Sequence, residues 1–212
     1  MKTDDLIAMM ASDAKPAARF SIPRRLALVG GATALVALAI LVPWLGLRDM
    51  GAAVGDTSYW MKTVYTAALA LGGFLLAERL ARPGVKSRRG AFVAIAGIAV
   101  LGAIAIAQLA SLPSAEISAA LLGSTWDKCP WRIGLLAIPG LIAVLLVMRK
   151  FAPTRPALAG AGAGLFVGGV AATVYGLHCG ETSAAFTLIW YTAGMAISTA
   201  AGALAGWRIL RW

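Results

Sequence analysis

The most reactive side chains in this 212-residue chain are two cysteines, Cys129 and Cys179, and the single histidine, His178. One cysteine pair cannot build a multi-disulfide scaffold or a four-cysteine zinc site. It can form a disulfide, or join an imidazole in holding a soft cation. Two separate buried thiols are the third option, and the residues alone leave all three open. Cys129 lies between Lys128 and Arg132 at an expected helix N-terminus. Positive side chains and the positive end of the helix dipole favour a thiolate there. Cys179 follows an expected helix C-terminus, where the dipole opposes ionisation, with His178 beside it as base or ligand. Cys129 is therefore expected to be the more reactive thiol. A metal set would comprise Cys129, Cys179 and His178, with Asp127 or Glu181 adding an oxygen. It suits a transient zinc- or cadmium-like ion; no resident cofactor is expected.

The elements that must position these residues are read from composition. Hydrophobic residues make up 60% of the chain and charged residues 13%, against about 25% charged in a soluble domain. A spanning helix needs about 20 apolar residues, and six runs qualify, near 26–47, 60–80, 91–112, 131–149, 157–178 and 184–207. Backbone groups in lipid must bond within their own segment. The expected fold is therefore all-α, a polytopic six-transmembrane-helix bundle. The first run exceeds the h-region of a cleaved signal peptide, and five more follow. Two domains are expected: a tail over 1–25 and the membrane domain over 26–212. From Pro153 in one connection, Cys129 lies 24 residues back and Cys179 lies 26 residues on. Neighbouring antiparallel helices would place both thiols at similar height on one face.

Basic residues set the orientation. One set of connections and ends holds Lys2, Lys15, Arg19, Arg24, Arg25, Arg79, Arg82, Lys86, Arg88, Arg89, Arg149, Lys150, Arg155, Arg208 and Arg211, or 15 of the 19. The other holds Arg48, Lys62, Lys128 and Arg132. The basic side reads as cytoplasmic, which places both termini inside a bacterial inner membrane and the cysteines outside. The net charge of +10 is thus a topology signal, and no direct nucleic-acid contact is expected. Trp44, Trp60, Trp126, Trp131, Trp207 and Trp212 fall near span ends, as interfacial anchors do. Gly160, Gly164 and Gly168 repeat every four residues, as do Gly194, Ser198, Gly202 and Gly206. Such small-residue stripes let helices approach closely, within one chain or between chains. Pro83-Gly84 and Pro153 to Pro156 stop helices, and 113–130 is expected to hold a short interfacial helix with Ile117, Leu121 and Leu122.

The spans lack the paired ionisable residues of a transport pathway; Gln108 is the most polar deep residue. No phosphate loop, zinc-protease motif or nucleophile–base pair is evident, so the chain reads as a non-enzyme. A small transporter or exporter and a membrane thiol-redox enzyme remain the alternatives.

The N-terminal segment is long enough to bind a macromolecule. Thr3 with Asp4 and Asp5 reads as a helix start, and Leu6, Met9 and Met10, with Ile7, give an apolar face for a partner's groove. Several motifs together resemble the negative-regulator-of-sigma-F family of six-helix membrane anti-sigma factors. They are Thr3-Asp4-Asp5-Leu6, Trp126-x-x-Cys129-Pro130-Trp131-Arg132, Ala152 to Pro156, Tyr175-x-x-His178-Cys179-x-Glu181, Phe186 with Trp190-Tyr191, and Arg211-Trp212. The resemblance implies that the tail (Thr3, Asp4, Asp5, Leu6, Met9, Met10) sequesters an extracytoplasmic-function sigma factor. Heavy-metal or oxidative stress acting on Cys129 and Cys179 would release it.

Overall fold

A computed structural model describes residues 3–12, 21–82, 88–151 and 153–211. The expected features at Lys2, Lys15, Arg19, Pro83-Gly84, Lys86, Ala152 and Trp212, and the side chains of Leu6, Ile7 and Met10, lie outside the described residues. Every element among the described residues is helical. A tail helix α1 (Thr3–Ser12) is followed by α2 (Ser21–Leu45), a short α3 (Met50–Val54), α4 (Thr57–Leu80) and α5 (Arg88–Ala110). Then come α6 (Ser114–Leu122), α7 (Cys129–Met148) and α8 (Pro156–Tyr175). The last span is composite: α9 (Ala184–Phe186), a π-helical stretch over Thr187–Tyr191, and α10 (Thr192–Ile209).

Six helices are long and apolar enough to cross a membrane: Ile22–Leu45, Thr57–Leu80, Arg88–Ala110, Cys129–Phe151, Pro156–Tyr175 and Ala184–Ile209. They match the six expected runs, with ends shifted by a few residues. Trp44, Trp60, Trp126, Trp131 and Trp207 are exposed near helix ends, as anchors require. The expected short helix in 113–130 is α6, which buries none of its residues. The indole N–H of Trp190 donates to its Leu121 carbonyl at 2.9 Å.

The bundle is built around α8, whose residues are mostly buried. The glycine stripes work within the chain. A Cβ on Gly206 would lie 2.7 Å from Pro156 O, and one on Gly160 would lie 2.9 Å from Gly206 Cα. A Cβ on Gly168 would meet Ser198 Cβ at 2.9 Å. At Gly160, Gly202 and Gly206 no Cβ fits in the α8–α10 seam, so the backbones gain dispersion contacts that lipid cannot offer. The opposite face of α8 meets α4 as closely: a Cβ on Gly169 would stand 2.6 Å from Ala70 N. α2 joins through Phe166, whose ring Cζ lies 2.6 Å from where a Gly30 Cβ would sit. Phe74 packs edge-to-face on the same ring, centroids 5.4 Å apart.

Two apolar clusters stack along the bundle. One surrounds Cys129, Cys179, Tyr175, Phe186 and Tyr191. The other, toward the chain termini, joins Leu26, Ala77, Ala81, Met148 and Leu210. α2, α4, α7 and α8 contribute to both.

Candidate functional site

Helix geometry brings the two cysteines together. Cys129 opens α7, with Pro130 in the first turn where a missing N–H costs nothing. Cys179 follows α8, and its N–H donates to Tyr175 O at 3.1 Å. Both are free thiols in one cluster, each within electrostatic range of the other. The similar height expected from the Pro153 count is what the fold delivers.

The expected difference in reactivity rested on an open helix end, and the structure corrects that. Cys129 is 0% exposed and Cys179 4%. The last span's helices and Tyr175 cover the start of α7, so access limits both thiols whatever the local dipole favours. The expected metal set gains no support from the geometry. Among the described residues no group of three His, Cys, Asp or Glu side chains could hold a metal ion. His178 lies three residues past α8 and is engaged elsewhere. Its Nδ1 contacts Gly46 O at 3.1 Å, and its ring leans on Tyr175, centroids 5.7 Å apart.

Charged groups surround the thiols instead. Lys62, in the second turn of α4, is 1% exposed. Its ammonium donates to Cys179 O at 2.9 Å and Glu181 O at 2.5 Å. Arg48 donates from Nη1 to the same Cys179 oxygen at 3.1 Å, and its backbone N–H donates to Leu177 O at 3.0 Å. The Glu181 carboxylate accepts from Ser124 N at 2.8 Å and Ser124 Oγ at 2.6 Å. Gly123 has φ +57° there, and a Cβ would strike Phe186 Cδ2 at 2.7 Å. Segment 179–181 is thus a strap tied on three sides.

Two buried phenols complete the site. Tyr175 and Tyr191 are fully buried and their hydroxyls make no hydrogen bond among the described residues. Tyr175 neighbours the Cys129 thiol and Tyr191 the Cys179 thiol. The π-helical turn ends at Tyr191; such turns recur at functional sites. Lys62, Tyr175 and Tyr191 were not among the expected site residues. The signal for Lys62 was a lysine five residues inside an apolar run after Asp56-Thr57, and that for the tyrosines was their place in the Tyr175-x-x-His178-Cys179 and Trp190-Tyr191 motifs. Gln108 proves structural, its Oε1 accepting Ala184 N–H at 2.8 Å.

At the other extreme of the chain, α1 begins at Thr3 with Asp4 and Asp5 in its first turn. Thr3, Asp4, Asp5 and Met9 are all exposed.

Fold and site define a helical protein with six candidate membrane spans, a buried thiol pair at one end and an acidic N-terminal helix. The family model for the negative regulator of sigma F matches residues 10–212, and the chain belongs to that family. It is 43% identical to the anti-sigma-F factor NrsF of Caulobacter vibrioides, over the full length of both chains. It is 42% identical, again over both full lengths, to the probable anti-sigma-F factor NrsF of Azospira oryzae. No solved structure matches.

Proposed function

We propose that this chain is a membrane-bound anti-sigma factor of a bacterial inner membrane, with both termini cytoplasmic. Its tail, through Thr3, Asp4, Asp5, Leu6, Met9 and Met10, holds an extracytoplasmic-function sigma factor away from RNA polymerase. Heavy metal or oxidant acting on Cys129 and Cys179 outside the membrane releases it. The supporting observation is full-length similarity to two proteins named as anti-sigma-F factors. The exposed acidic first turn of α1 gives the chemistry of a docking helix, and the basic-residue asymmetry supports the orientation.

A signal need only favour a bundle state in which the partner binds less well. A hundredfold weakening takes ~2.7 kcal/mol. A disulfide supplies roughly 2–4 kcal/mol, so joining the thiols is sufficient in size. Pull-down with the intact chain and with Asp4→Ala/Asp5→Ala tests the reading. A sigma factor should accompany the first and not the second; recovery of none from the intact chain sinks it. Cys129→Ser and Cys179→Ser should each abolish release by diamide or cadmium.

A further inference from the structure

Resting on that reading, we propose that Lys62 is the positioning residue through which the cysteine pair acts on the bundle, tying the strap that carries Cys179 to α4. Lys62 lies inside a membrane-spanning helix and is all but inaccessible. Among the described residues no carboxylate forms an ion pair with it. Its bonded oxygens are the neutral carbonyls of Cys179 and Glu181. Burying a cation against neutral acceptors costs several kcal/mol more than burying an apolar side chain. Packing alone therefore does not account for it, and ionisable residues within spans mark function by default.

The position of the bond is informative. Arg48 and Ser124 hold the strap from connecting segments. Lys62 holds it from a helix that crosses the whole bundle. α4 meets α8 backbone to backbone, and Phe74 presses on the Phe166 ring that fills the space at Gly30 of α2. α2 is the span that follows the tail. Displacement of the strap therefore bears on α4, and a continuous packed path leads from α4 to α2.

Oxidation would move the strap. The two thiols give two electrons and two protons to the oxidant, and a bond forms between the Cys129 and Cys179 sulfurs. Cys179 is drawn toward α7, and its carbonyl leaves the Lys62 ammonium. The intact lysine clamp thus defines the resting, partner-holding state, and its opening defines release.

The test uses the full chain in lipid nanodiscs with its co-purified partner, with and without diamide, which is reduced to the hydrazine as the disulfide forms. Acylation of Lys62 by acetic anhydride, read by mass spectrometry, should rise about tenfold on oxidation. It should stay low in Cys129→Ser. Lys62→Met should hold its partner about tenfold less well without oxidant, and Lys62→Arg should restore most of the retention. If Lys62 stays unacylated while the disulfide forms and the partner leaves, the inference is wrong. Wild-type-like retention and release in Lys62→Met overturns it equally. Because the acylation measurement uses the unaltered chain, it decides the matter whether or not Lys62→Met folds. A wild type that forms the disulfide yet keeps its partner overturns the underlying sensor reading, and the inference with it.

Discussion

At the cysteine end one charge is turned inward: Lys62 is buried, while the Glu181 carboxylate meets Ser124 at an exposed edge. Toward the chain termini an ion-pair group is half-buried near the rim, where Glu78 meets Arg82 at 2.6 Å and Arg79 at 3.6 Å. An ion pair that water reaches is screened and worth little. A buried ammonium on carbonyls is costly to break, because a buried cation is left without its acceptors.

Several substitutions can break or sharpen that contrast, and the seam joining the two ends should give the largest effect. Gly160→Leu or Gly202→Leu puts a side chain where the α8–α10 backbones touch. Loss of the folded bundle in detergent is expected, since overpacking costs at least about 1–3 kcal/mol and this seam cannot widen without parting. Glu181→Ala should come next. It leaves Ser124 without its carboxylate acceptor, a net loss of about 0.5–1.5 kcal/mol, and should speed alkylation of Cys179; unchanged thiol kinetics would remove Glu181 from the strap. Arg82→Ala, at the opposite rim, should shift detergent stability by less than about 1 kcal/mol. A larger shift would erase the contrast between the two ends. Asp4→Ala/Asp5→Ala should leave the melting curve unmoved while abolishing partner retention.

The smallest effect concerns pH. Hydrogen bonds from the Ser58 hydroxyl and N–H hold the Asp56 carboxyl below its ordinary value. A depressed folded-state pKa contributes stability above the unfolded value and loses it as pH falls through the folded one. The α4 cap should therefore weaken only in acid below about pH 4. Asp56→Asn should flatten that limb of a stability–pH curve.

Much of this architecture was legible in the chain because its causes are local. Six apolar runs imply six helices wherever backbone groups must bond internally, and the four-residue glycine spacing predicted the α8–α10 seam. Counting from Pro153 placed the two thiols at one height, because helical rise per residue is constant. Burial was not legible. Lys62 reads as one of four basic residues on the sparsely charged side, and only the fold shows its ammonium under the strap. The same holds for Cys129, whose helix-end position suggested an open thiolate until the last span's helices covered it.

The sequence by itself determined the six long apolar helices, the common height of the two cysteines and the acidic helix at the start, all consequences of composition and period. Only the tertiary structure decided that His178 engages the Gly46 carbonyl and the Tyr175 ring. Only it showed that Tyr175 and Tyr191 line them, and that a lysine from α4 holds the strap. Those facts depend on which helices become neighbours and how a π-helical turn rotates Tyr191, and no residue pattern within one segment specifies either.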